Sequence, residues 1–112
     1  MRRIFFSMSL CILSSVAYAD QTGDSLKDLC SLYPQHSEKT AMCIGYIFGT
    51  LDVIRAYDRV KKCEPTSGLT ADQLILMTIK YLSDHPERLN YSATSLIFDM
   101  YTKAFPCPQK QN

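Results

Sequence analysis

The chain has 112 residues, with twelve Lys and Arg against eleven Asp and Glu and a formal net charge of +1. That length suits one small domain and leaves no room for a two-domain dinucleotide enzyme or a (β/α)8 barrel. The near-neutral balance argues against a protein that binds nucleic acid by neutralising phosphates, and 46% hydrophobic content with seven Tyr and five Phe argues against disorder.

At the start, Met1-Arg2-Arg3 precedes an apolar run from Ile4 to Val16, and Ala17-Tyr18-Ala19 follows. A positive head, an apolar centre and an A-x-A site are the marks of a secretory signal peptide, cleaved here after Ala19. The run of about 13 apolar residues is too short for a comfortable membrane span, which needs about 20. Residues 1–19 are therefore expected to be removed, and residues 20–112 to form a single helical domain that is soluble and carries no membrane segment. Removal takes away Arg2, Arg3 and Cys11, which leaves ten basic residues against eleven acidic ones, a charge of −1, and four cysteines: Cys30, Cys43, Cys63 and Cys107. An exported chain with an even cysteine count implies two disulfides in an oxidising compartment.

Periodicity predicts helices throughout and gives no alternating pattern that would suggest strands. The first helix spans about 23–33; Thr22, Asp24 or Ser25 can cap it, Leu26, Leu29, Cys30 and Tyr33 form its apolar stripe, and Pro34 ends it. The second runs over about 38–61 with Ala41, Ile44, Ile47, Phe48, Leu51, Ile54 and Val60 facing the core. Pro65-Thr66-Ser67-Gly68 is a turn. Thr70 and Gln73 form a capping box for the third helix, whose stripe is Leu74, Met77, Thr78, Tyr81 and Leu82, widened by Ile75 and Ile79. A polar connection over 84–88 leads to a fourth helix beginning near Asn90 or Ser92. It buries Ala93, Leu96, Ile97, Met100, Tyr101 and Ala104 and stops at Phe105-Pro106-Cys107-Pro108. The fold class is all-α, a small four-to-five-helix up-and-down bundle with two disulfides.

Geometry selects among the three possible pairings. Cys43 and Cys63 lie on one predicted helix, twenty residues and about 30 Å apart. A disulfide needs Cα atoms within about 7 Å, so they cannot pair. In an up-and-down bundle Cys30 lies beside Cys43, and Cys107 arrives at the far end beside Cys63. The expected bridges are Cys30–Cys43 and Cys63–Cys107.

The residue inventory of an active site is missing. The mature chain has two histidines, His36 and His85, both in predicted loops, and its cysteines are assigned to disulfides. Neither CxxC nor HExxH occurs, so no metal site is expected, and none of the four glycines belongs to a phosphate-cradling loop, so no cofactor is expected. Asp52, Asp58, Asp84 and Asp99 are scattered and show no glycosidase-like pairing. Gly45, Gly49, Asp52 and Ala56 share one helix face, where small residues would let another backbone approach and Asp52 would accept its hydrogen bonds. Arg55, Arg59, Lys61 and Lys62 interleave with Asp58 and Glu64 as a solvated face. In the sequon-like triplet Asn90-Tyr91-Ser92, Ser92 is read as a helix cap.

Cys43-Ile44-Gly45-Tyr46-Ile47-Phe48-Gly49-Thr50-Leu51-Asp52 resembles the C-x-G-Y-x-x-G-x-x-D signature of the Rap/Tai immunity proteins associated with type VI secretion. Cys63-Glu64-Pro65 leading into Thr70–Leu74, Tyr81–Glu87, and Ala104-Phe105-Pro106-Cys107 are similar in order and spacing, as is Leu26…Cys30. The resemblance covers nearly all of the mature chain. It marks Gly45, Tyr46, Gly49 and Asp52 as signature residues and implies a periplasmic, disulfide-linked helical fold, often a homodimer. It also implies a task without catalysis: binding and inhibiting a peptidoglycan amidase toxin. The alternative within the same fold is a periplasmic interaction or scaffold module with no toxin partner. For an inhibitor, a polar loop on a rigid scaffold is suited to enter an enzyme groove, and Asp84, His85, Pro86, Glu87, Arg88 and Asn90 are the candidate partner-binding residues.

Overall fold

A capped segment opens the domain. In a computed structural model describing residues 21–57, 63–64 and 68–107, α1 (Gly23–Leu29) starts from the Thr22 side chain, which accepts a hydrogen bond from the Ser25 amide while the Ser25 hydroxyl oxygen accepts one from the Thr22 amide. α2 (Glu38–Ala56) is capped by Ser37, α3 (Ala71–Asp84) by Thr70 with Gln73 in reciprocal hydrogen bonds, and α4 (Ala93–Ala104) by Ser92. A short 3-10 turn, Pro86–Arg88, joins α3 to α4. All four expected helices are present, and no strand occurs among the described residues. An isolated bridge between Thr22 and Ser92 is the one sheet-like contact recorded there. The expected signal peptide lies outside the described residues.

Two helix ends differ from expectation. α1 stops at Leu29 rather than near 33, and the chain continues through successive i→i−3 hydrogen bonds from Ser31, Tyr33 and Gln35. Pro34 disfavours helical geometry at the preceding residue, so this end tightens and unwinds early. α2 ends at Ala56, with Tyr57 extended, rather than near 61. Beyond that end Glu64 comes back to α2, where it forms an ion pair with Arg55 at 2.6 Å. On a continued helix their nine-residue separation would set them about 14 Å apart along the axis, so the chain must leave the helix before Glu64. Of the basic face, Arg55 is thus committed to Glu64, and Arg59, Lys61 and Lys62 lie outside the described residues, as does Val60 of the predicted stripe. Most of the turn at 65–68 also lies outside them, but Gly68 has φ 87°, a conformation that L side chains rarely adopt.

Each helix packs against the other three around one core. Leu26, Cys43, Ile47, Leu51, Leu82, Leu96, Ile97 and Tyr101 are almost completely buried. Ile44, Phe48, Met77, Ile79 and Tyr81 flank them as half-buried contributors. Ala41 and Ala104, expected in the core, are exposed. The real buried face of α2 includes Thr40 and Cys43, which places Ala41 on the solvent side. Buried Thr78 satisfies its hydroxyl by donating to the Leu74 carbonyl at 2.9 Å. Both expected disulfides form, Cys30–Cys43 with a Cα–Cα distance of 5.1 Å and Cys63–Cys107 with 4.8 Å.

Candidate partner-binding site

The loop between α3 and α4 is anchored from behind by α1. The first amides of a helix have no partner within it and must find acceptors elsewhere. Here the Gly23 amide donates to the Tyr91 carbonyl and the Asp24 amide to the Leu89 carbonyl, both at 2.9 Å. The Ala93 amide donates back to the Gln21 carbonyl at 2.7 Å. The loop backbone and the start of α1 therefore complete each other's hydrogen bonding. Gly23 is buried at this seam, and a Cβ on it would lie 2.4 Å from Leu96 Cδ1 and 3.2 Å from the Leu89 Cα and carbonyl oxygen. Sequence reasoning missed this residue, because a glycine just after a capping residue carries no periodic signal.

The predicted residues of the loop divide into two groups. Arg88 turns inward: its guanidinium donates to the Tyr81 hydroxyl at 2.6 Å and to Asp99, and it lies 5.5 Å from the Tyr91 ring centroid. Asp99, as the hydrogen-bonded anion, holds the Arg88 pKa above its ordinary value. Asp84, Pro86, Glu87 and Asn90 face solvent. Asp84 pairs with Lys80 one turn back at 2.5 Å, and both side chains are more than half exposed, so this pair contributes little stability. His85 stacks against Tyr81 with ring centroids 4.4 Å apart, and its Nδ1 is 3.2 Å from Glu87 Oε1. A backbone hydrogen bond, then the contact with His85, holds the Glu87 carboxyl below the usual carboxylate range. The result is a short acidic and amide-bearing crest, fixed underneath by one arginine.

A second surface lies between α2 and α4. Gly45, Tyr46, Gly49, Thr50, Val53, Ile54 and Thr94 line a groove of about 380 Å³. It adjoins one of about 390 Å³ lined by Val53, Ile54, Tyr57, Thr94, Ser95, Phe98 and Asp99. Tyr46 spans the first of these with its hydroxyl 2.9 Å from Thr94 Oγ1. The expectation of a close backbone approach at Gly45 and Gly49 is not met among the described residues, since a Cβ at either position would touch none of them within 4 Å. Asp52 is exposed, and no described residue hydrogen-bonds it, so its expected role as an acceptor for a neighbouring helix is likewise not met. The helices beside α2 meet it on its Cys43–Ile47–Leu51–Ile54 face instead, which turns the small residues outward.

The glycines should therefore respond in opposite ways to alanine. Gly23→Ala should destabilise by about 1–3 kcal/mol, because backbone at Leu89 stands in the way. Gly45→Ala or Gly49→Ala should stabilise by about 0.5–1 kcal/mol, since a helix-interior glycine is replaced and nothing is displaced. Urea unfolding of the three variants checks both signs.

A third cluster closes the opposite end of α4. Arg55 Nε and Nη2 donate to the two Glu64 oxygens at 3.1 and 2.6 Å. Tyr101 is fully buried beside this pair, and its hydroxyl meets no partner at good hydrogen-bonding geometry. Burial first, and then the neighbouring Glu64 carboxylate, push the Tyr101 pKa up to about 12. Burial works against the Glu64 charge, but the hydrogen bonds from Arg55, with the polar Tyr101 hydroxyl close by, prevail and its carboxyl stays below the ordinary value. Among the described residues no group of three His, Cys, Asp or Glu could hold a metal ion.

The model of the Rap1a immunity proteins matches residues 22–107, from the cap of α1 to the last cysteine. The chain belongs to the Rap1a immunity protein family. No curated protein and no solved structure matches it. Family membership indicates an immunity protein against a secreted effector, and so a protein partner. Within the matched span lie both disulfides, the α2 groove and the anchored loop. No helix among the described residues is long and apolar enough to cross a membrane.

Proposed function

We propose that this Rap1a-family protein is exported by its N-terminal signal, cleaved after Ala19, and acts in the periplasm by binding and inhibiting a peptidoglycan amidase delivered by type VI secretion. It catalyses nothing and uses no cofactor. The observation that carries this reading is the family match over residues 22–107, to which the anchored loop adds a physical means of inhibition. A loop whose backbone is already hydrogen-bonded to α1 loses little conformational freedom when it enters an enzyme groove. Asp84, His85, Pro86, Glu87 and Asn90 present the contact surface, and Arg88 holds their geometry from beneath.

Self-association belongs to the same reading. The α2–α4 groove carries no charge along Gly45, Tyr46, Gly49 and Val53, and it exposes Val53, Tyr57 and Phe98. Two copies meeting across such a face would withdraw these apolar side chains from water.

The test is co-purification with a peptidoglycan amidase encoded beside the gene, followed by titration of its cell-wall hydrolysis. Stoichiometric loss of activity is expected, and Glu87→Lys should weaken binding by about tenfold or more. A failure of the two proteins to associate would sink the proposal, and cell-wall digestion by this protein alone would replace it with an enzymatic one.

A further inference from the structure

The two disulfides occupy different chemical environments. Cys30 and Cys43 are 3% and 0% exposed and belong to the hydrophobic core. Cys63 is half-buried and Cys107 is exposed, and neither is part of that core. Thiol–disulfide exchange requires a thiolate to reach a sulfur, so access decides which bridge reacts. From these environments we infer that Cys63–Cys107 is a reversible thiol–disulfide exchange site for a dithiol reductant, while Cys30–Cys43 remains closed to it.

The step balances without any further reagent. One thiolate of the reductant attacks a sulfur of the Cys63–Cys107 bond, forms a mixed disulfide and releases the other cysteine as a thiolate, which takes a proton. The second thiol of the reductant then displaces the remaining cysteine sulfur, which is protonated in turn. Two electrons pass to the protein, giving two cysteine thiols, and the reductant leaves as its own disulfide.

The position of the bridge gives the exchange a local consequence. Cys63 is followed by Glu64, which pairs with Arg55 at the end of α2, and Cys107 lies three residues beyond the end of α4. The bond joins residues 44 apart in sequence and ties the returning segment to the end of the last helix. Cys30–Cys43, with a separation of 13, joins the end of α1 to the early part of α2. Opening the outer bridge removes the covalent tie between the Glu64 segment and the α4 end and leaves the inner bridge and the core from Leu26 to Ile97 in place. The result is a redox-sensitive end on a permanently stapled body. Its logic does not depend on which partner the α3–α4 loop binds.

The experiment uses the folded, oxidised protein. It is exposed in parallel to dithiothreitol and to reduced thioredoxin, quenched with an alkylating agent and mapped by peptide mass spectrometry. Cys63 and Cys107 should be alkylated at least about tenfold faster than Cys30 and Cys43 with both reductants. Amide exchange should rise only in the last turns of α2 and α4. Equal or faster opening of Cys30–Cys43 overturns the inference, as does exposure of Cys63 and Cys107 only when the whole chain unfolds. Cys63→Ser/Cys107→Ser should keep its helical circular dichroism and an unreactive inner bridge. If that variant unfolds, or if its inner bridge becomes reducible, the outer bridge is a structural staple and the inference fails.

Discussion

Replacing both Cys30 and Cys43 with alanine should cost more than about 3 kcal/mol, enough to threaten folding at physiological temperature. The bond closes a loop of 13 residues, and constraint of the unfolded chain alone accounts for about 3 kcal/mol in the loop-entropy picture. Packing adds to this, because both cysteines belong to the core and removal of their sulfurs leaves unfilled space within it. Alanine is the right probe here, since serine would bury unpartnered hydroxyls and confuse the two contributions. Equilibrium urea unfolding measures the loss. The corresponding change at Cys63 and Cys107 opens a loop of 44 residues, worth about 4 kcal/mol in the same picture, yet should leave the core packing in place; loss of core amide protection there but not at the inner pair would contradict the assignment of the inner pair to the core.

Tyr101 should make the protein sensitive to alkali. An unfolded tyrosine ionises near pH 10, whereas Tyr101 in the fold is pushed up to about 12 by burial and by Glu64. Below pH 10 both states keep the proton, and the full stability is present. As pH rises from about 10 toward 12 the unfolded chain releases the proton and the folded one retains it, so stability falls. A shift of two units corresponds to at most about 2.7 kcal/mol. Ultraviolet titration of the folded protein should show one tyrosine ionising well above the rest, and thermal melts should decline over the same interval. Tyr101→Phe keeps the ring that packs edge-on against Phe105 at 5.1 Å and should flatten part of the alkaline decline. Tyr101→Ala should cost about 3–5 kcal/mol at neutral pH, because a fully buried ring is lost. Uniform titration of every tyrosine near 10 before unfolding would refute the account.

Helix starts were more legible than helix ends. Thr70 with Gln73 is a local device, in which each side chain satisfies an amide within four residues, and it forms as expected. At the end of α2, Arg55 is held by Glu64, an interaction between residues nine apart that periodicity cannot register. The cysteine pairs were legible because four cysteines on antiparallel helices leave few geometric choices, even though α2 ends at Ala56 and Cys63 lies seven residues beyond it.

The candidate site divided along the same line. Composition marked residues 84–90 as a polar connection, and Pro86 does open its 3-10 turn. That Arg88 faces inward to Tyr81 and Asp99, while Asp84, Glu87 and Asn90 face out, is a fact of packing between α3 and α4. The glycines of α2 make the same point, since their spacing announced a close approach but not whether this chain or another would make it.

Taken by itself, the sequence determined the all-α class, the helix caps, the two disulfides and the resemblance to an immunity family. Those features rest on local hydrogen bonding, apolar spacing and residue identity. Only the tertiary structure decided which disulfide is buried, that the α3–α4 loop is bound to the start of α1, that Gly45 and Gly49 face outward, and that Tyr101 lies against the Arg55–Glu64 pair. Each of those depends on which helix faces are brought together, and burial and electrostatic environment exist only once they have been.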